Sequence, residues 1–208
     1  MMAGEKVKAM KEFITVGYSY NELSETAKEN VKQWYLEDEI RNEFFYEDIV
    51  YTLKESFPRS DLKVTYSLSC CQGDGLNIYG NLNLYDFIEK WNATEKEKRR
   101  IEFYLNNSSH NFTFENNHRY SYSCKFIDKK YIDDYVNDMI DDLQYNGISN
   151  INSETIKQFY IDMLDHFEKL DKQFETDGYN YLYNCDDEEV EDFCMANDYY
   201  FTEDGTLI

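Results

Sequence analysis

The chain offers few side chains at spacings that do chemistry. Foremost is Asp74, set in the run Gln72-Gly73-Asp74-Gly75, with Cys70 and Cys71 just ahead of it. Such an aspartate serves as a metal ligand or general base only where other groups converge on it. His110 and His118 flank a stretch that reads as a hairpin, so they can approach one another across it. An enzyme with Asp74, His110 and His118 around a metal is therefore the catalytic hypothesis. Spacing argues against it. A zinc site needs about four His, Cys or carboxylate ligands, and neither CxxC nor HxxxH is present. There is no GxSxG elbow, glycine-rich phosphate loop or Cys/His nucleophile signature. The residues thus imply no catalytic group, no metal and no cofactor. Glycines on either side of an aspartate also suit a tight hairpin bend, and that reading accounts for every residue of the run.

Carboxylates on two late helical segments carry more physical information. Asp134, Asp138, Asp141 and Asp142 line the polar side of the first, and Asp165, Glu168, Asp171 and Glu175 that of the second. A third cluster, Asp186, Asp187 and Glu188, opens a short segment near the C-terminus. Residues three or four apart on a helix stand about 5–6 Å from each other, while duplex DNA carries one charge per ~1.7 Å of axis. Ordered carboxylates can therefore imitate a phosphate track before a basic groove. A solvated face is the plain alternative, but like charges at this spacing destabilise an isolated helix by about 0.2–0.5 kcal/mol per pair.

The elements that must position these groups are legible from period and punctuation. Phe13 to Tyr18 reads as a short strand. Ser24 is an N-cap before a helix whose buried stripe is Ala27, Val31, Trp34 and Tyr35. Phe45, Ile49, Leu53 and Phe57 mark a second helix stopped by Pro58. Leu62, Val64, Tyr66 and Leu68 alternate with polar residues as a half-buried strand, and Leu76 to Leu82 resumes that alternation after the bend. Residues 84–105 read as helical with a break near Asn92. Phe112 and Phe114 then face Tyr120, Tyr122, Cys124 and Phe126 across a turn at Asn116-Asn117.

The first acidic helix has the stripe Ile132, Tyr135, Val136, Met139, Ile140 and Leu143 and ends at Gly147. The second starts from Ser153 as N-cap, buries Ile156, Phe159, Tyr160, Met163, Phe167, Leu170 and Phe174, and stops just before Gly178. A short helix from Asp186 to Ala196 precedes a last strand and the turn Glu203 to Gly205. Strands in one group with helices before and after imply an α+β fold, an antiparallel sheet covered by helices. Residues 1–127 form the sheet-containing core, and 128–208 an acidic helical region packed on it as one compact unit.

Charge sharpens the functional reading. The 208 residues carry a net −21. Residues 1–127 hold 20 acids and 16 bases, whereas 128–208 hold 22 acids and 5 bases. Such a field repels nucleic acid and anionic membrane and favours basic partners. Adaptation to salt would spread acids over the whole surface instead. Twenty tyrosines and fourteen phenylalanines argue against disorder. Five cysteines form an odd set without framework spacing. The start lacks an apolar leader, and no run reaches spanning length, which implies a cytoplasmic protein in a reducing compartment.

Three segments carry a family resemblance: ELSETAKE (Glu22 to Glu29), QGDGLNIYG (Gln72 to Gly80) and EEVEDFCMANDYYFTEDG (Glu188 to Gly205). In order and spacing they resemble small phage and prophage proteins labelled "antitoxin of toxin–antitoxin stability system". The likeness covers most of the chain, loosely between about 84 and 180. It implies a phage or mobile-element origin among host-takeover functions, and it brings no catalytic residues. Gln72, Gly73, Asp74 and Gly75 are a landmark of that resemblance. Together these features imply a phage-encoded anti-defence inhibitor, of anti-CRISPR or anti-restriction type. It would bind a basic host nuclease, such as a CRISPR effector, through its acidic surface, with Tyr179, Tyr181 and Tyr183 setting specificity. An antitoxin that neutralises a basic toxin is the alternative.

Overall fold

The computed structural model describes residues 16–71, 73–108, 112–115 and 131–208. After a 3-10 turn at Tyr20–Glu22 come helices α1 (Glu25–Leu36) and α2 (Ile40–Ser56), then strands β1 (Asp61–Ser67) and β2 (Gly75–Leu82). Helices α3 (Leu84–Lys90) and α4 (Glu95–Asn106) lead to strand β3 (Phe112–Phe114). Helices α5 (Ile132–Tyr145), α6 (Ser153–Tyr183) and α7 (Asp187–Ala196) follow. The strands form one antiparallel sheet in the order β1-β2-β3, so the fold is α+β. Contacts group the chain into two units, Met1–Glu39 with Tyr183–Ile208, and Ile40–Leu182. This division differs from the split by charge at 127/128, a boundary that itself lies outside the described residues.

In the larger unit the sheet, α5 and α6 share a single core. Leu76 and Ile78 of β2, Met139 and Leu143 of α5, and Phe159, Tyr160 and Phe167 of α6 are all essentially buried. The aromatic spacing read from the sequence becomes ring contact. Phe167 lies against Phe114 at 4.7 Å and Phe57 at 4.9 Å, and Phe159 meets Trp91 edge-on at 5.2 Å. Among the described residues β3 pairs with Gly80, Asn81 and Leu82 of β2. Beyond that ladder, the Ile78 N–H donates instead to Asp171 Oδ1 of α6 at 3.2 Å. A helix carboxylate thus takes up a buried backbone donor of the central strand.

Capping is local, and the expected Ser24 cap forms. Ser24 accepts from Ala27 N at 3.2 Å, Thr94 and Glu97 form a reciprocal box at the start of α4, and Asp186 accepts from Glu189 N at 2.8 Å. α5 ends in a Schellman arrangement: Gly147 has φ +82°, Ile148 N donates to Leu143 O and Gly147 N to Gln144 O, each at 2.9 Å. Two expectations need correction. The cap of α6 is Asn152, whose Oδ1 accepts from Thr155 N at 3.0 Å, and Ser153 is the first helical residue. Gly178 does not end α6. The helix continues to Tyr183, and this glycine is buried against Phe45 and Leu68, where a side chain would collide.

The smaller unit is built around Tyr20, Ala27, Val31, Tyr35, Val190, Cys194 and Phe201. Trp34 packs edge-on against Tyr199 at 5.5 Å and Phe201 at 5.8 Å. In place of a full last strand, Phe201 makes isolated bridges with Tyr18 and Leu207. Phe13 to Thr15, Asn116-Asn117, Tyr120, Tyr122, Cys124 and Phe126 lie outside the described residues.

Candidate functional site

The bend at Asp74 is held together by its own carboxylate. Oδ2 accepts from Cys71 N at 2.6 Å and Oδ1 from Ser67 Oγ at 2.8 Å and Ser69 Oγ at 3.1 Å. Tyr179 OH reaches Oδ2 at 3.4 Å. Gly73 sits at φ +100° and Cys70 at +58°, a backbone course that the carboxylate pins in place. The Cys71 N–H first, then the serine hydroxyls, hold Asp74 below the usual carboxylate range. A carboxyl so stabilised as the anion is a weak proton acceptor near neutrality. The arrangement organises a turn. Gln72, His110 and His118 lie outside the described residues. Among the described residues no three His, Cys, Asp or Glu side chains come together as a metal site.

The acidic residues separate into three groups by what they touch. On α5, Asp134, Asp138 and Asp141 are exposed at spacings of four and three. That single row is flanked at the same rhythm by exposed Tyr131 and Tyr145, the latter 91% accessible. Tyr131 to Tyr145 spans about 21 Å at 1.5 Å per residue. Asp142 is half-buried beside the row. The helix has five aspartates and no basic residue, although Asp133 meets Lys157 of α6 at 2.8 Å. Asp142 lies in its last turn, where the helix dipole disfavours negative charge by about 0.3–1 kcal/mol, whereas Asp133 and Asp134 lie in the first turn, where it favours it.

The expected row on α6 does not form. Asp171 is 4% exposed and bound to the β2 backbone, because it falls on the same stripe as Phe167 and Phe174. Asp165 and Glu175 are half-buried, leaving Glu168 exposed. Asp165 and Glu168 line a groove with Lys169 and Lys172, so this face is of mixed sign. On α7, Asp186 is the N-cap. Asp187 accepts from Tyr20 OH at 2.6 Å and pairs with Lys32 at 2.8 Å. Lys32 and then Tyr20 draw the Asp187 carboxyl below its ordinary pKa. Glu188 is exposed.

The proposed aromatic anchors also change. Tyr179 is tied to Asp74, and Tyr181 lies between the Arg41 guanidinium, 4.5 Å over its ring, and Phe45. Tyr183 is 46% exposed. Arg41 was not singled out from the sequence, yet it is 2% exposed and donates to Tyr181 O near the end of α6. A cation there complements the negative pole of that helix. Its place four residues before Phe45, on the stripe Phe45, Ile49 and Leu53, was the available signal.

The terminal segments of the family resemblance meet inside the smaller unit. Gly205 has φ +86°, and a Cβ there would stand 2.4 Å from Ala27 O. Asn30 Nδ2 donates to Asp204 O at 2.9 Å. The ELSETAKE and FTEDG segments are thus packing partners, and their glycine and alanine are set by close backbone approach. No family model, curated protein or solved structure matches the chain. Among the described residues no helix is long and apolar enough to cross a membrane.

Proposed function

We propose that this chain is an anti-defence inhibitor of anti-CRISPR or anti-restriction type. Its partner is a basic, nucleic-acid-binding host protein, a nuclease in the first instance, and it enters the nucleic-acid groove with the exposed face of α5. The observation that carries this reading is the row Asp134, Asp138 and Asp141 between Tyr131 and Tyr145, on a helix with no cation of its own. Its carboxylates stand three and four residues apart and repel one another, so the row lowers the stability of the free helix. A cationic groove reverses that sign. Long-range attraction speeds encounter, and the flanking tyrosines supply the desolvated contacts that fix register. The family resemblance, with its phage origin, favours such a target. The reading needs no catalytic residue and no cofactor, and it puts the protein in the reducing host cytoplasm, in keeping with the free thiols Cys70, Cys71 and Cys194.

Affinity capture from infected cells, with wild type beside Asp134→Asn/Asp138→Asn/Asp141→Asn, tests this. The wild type should retain a basic nucleic-acid-binding protein that duplex DNA displaces, and the triple variant should not. Equal retention, or a complex indifferent to DNA, would defeat the proposal. Recovery of a small co-transcribed toxin would move the assignment to the antitoxin reading.

A further inference from the structure

A second surface lies on the opposite half of the larger unit's sequence and does not rest on α5. Asn42, Glu43, Tyr46 and Glu47 fall at helical spacing along one flank of α2. They face Val64, Thr65 and Tyr66 of β1 across a groove of about 420 Å³, within the ~300–1,000 Å³ usual for binding sites. Three successive strand residues present side chains to both faces of a sheet, so a groove touching all three runs along the strand's edge. β1 is the outer strand of the order β1-β2-β3, and among the described residues nothing pairs with its far side. An open edge of this kind is a template for an added strand.

The walls are pre-formed. Tyr66 OH donates to Asn42 O at 2.9 Å, and its ring stands edge-on to Phe45 at 5.3 Å, which fixes one aromatic wall. Tyr46, 44% exposed, forms part of the other. Glu43 and Glu47 are exposed one turn apart on the rim, and neither meets a cation among the described residues. Nearby Lys63 is turned to Asp61 at 3.8 Å. Two uncompensated carboxylates beside two tyrosine rings suit a guanidinium, which stacks on aromatic faces and accepts a carboxylate on its fork. The open edge suits an extended backbone.

We infer that this groove binds an extended, arginine-bearing segment of a partner protein. The segment adds as a fourth strand outside β1 and places one arginine between Tyr46 and Tyr66 under Glu43 and Glu47. The side chains of Glu43, Glu47 and Tyr46 are exposed and make no hydrogen bond or ion pair among the described residues, so substitutions there leave the fold intact.

The probe is a synthetic Val-Thr-Arg-Thr-Val peptide, titrated into the isotopically labelled full chain and followed by backbone amide NMR. A second peptide carries citrulline, the neutral isostere, in place of arginine. The arginine peptide should shift the amides of Val64, Thr65 and Tyr66 saturably. Citrulline, Glu43→Gln/Glu47→Gln and Tyr46→Ala should each weaken binding about tenfold or more. Asp134→Asn/Asp138→Asn/Asp141→Asn should leave it unchanged, which separates this site from the α5 face and from diffuse attraction. Shifts spread over α5 and α7, equal binding of the citrulline peptide, or no saturable shift at millimolar peptide would overturn the inference.

Discussion

Gly178→Ala isolates the packing of α6 against the sheet. Gly178 lies inside a helix of 31 residues, where alanine is intrinsically better than glycine by about 1 kcal/mol. Helix propensity alone therefore predicts a more stable protein. The surroundings oppose it. A Cβ would stand 2.4 Å from Leu68 Cδ1 and 2.6 and 2.8 Å from Phe45 Cζ and Cε1, against an optimum of about 3.5–4.0 Å between carbons. Leu68 and Phe45 are each 6% exposed, and the Phe45 ring is confined by Tyr66 at 5.3 Å and Tyr181 at 6.0 Å. Overpacking of this kind costs about 1–3 kcal/mol, and three contacts closer than 3 Å favour the upper half of that range. The net expectation is a loss of about 1–2 kcal/mol.

Urea unfolding reads this as a lower midpoint at unchanged slope. Phe45→Leu withdraws the ring tip, so in a double-mutant cycle it should recover part of the loss caused by Gly178→Ala. A glycine kept merely to end a helix would show no coupling to Phe45. A raised midpoint, or additivity of the two substitutions, would refute the packing argument.

Three further outcomes follow from the same geometry. Asp171→Ala leaves the Ile78 N–H buried without its acceptor, so stability should fall by about 1–3 kcal/mol, with faster hydrogen exchange at Ile78; an unchanged exchange rate would contradict the assigned bond. Burial first, then Lys90 and Lys169, lowers the His166 pKa from 6.5, so the folded chain favours neutral imidazole beside Phe57 and Phe87. Its contribution is complete above 6.5 and is lost as pH falls through 6.5 toward the lower folded value; His166→Leu should flatten the stability profile between about pH 7 and pH 5. Cys194 is 3% exposed and its thiol is pushed up to about 11 by burial, whereas Cys70 and Cys71 are exposed. Mass mapping after brief alkylation of native protein should find label on Cys70 and Cys71, with Cys194 protected until unfolding.

What the sequence revealed was local in origin. The Ser24 cap, the Phe45-Ile49-Leu53 stripe, the alternation from Leu62 to Leu82 and the break between α3 and α4 rest on neighbours within a few residues. The structure reproduces them. The failures involve partners distant in sequence. Gly178 looks like a helix stop until Phe45 and Leu68, more than a hundred residues earlier, occupy the space of its side chain. Asp171 looks like one more surface acid, although its spacing from Phe167 and Phe174 already placed it inward; its donor lies 93 residues away in β2. Asp187 joined the acidic list because Lys32 and Tyr20 are invisible from its own helix. Net charge alone therefore does not say which acids form an exposed, regularly spaced row; on α5 they are Asp134, Asp138 and Asp141.

The deciding measurement is the affinity of purified captured partner for this chain, taken from about 50 to about 500 mM salt, with wild type and with Asp134→Asn/Asp138→Asn/Asp141→Asn. Mimicry of a phosphate track requires wild-type affinity to fall steeply with salt. The triple variant should bind about tenfold or more weakly at low salt, on a shallower slope. Superimposable curves for the two proteins would contradict it and leave the aspartates of α5 as solvated surface.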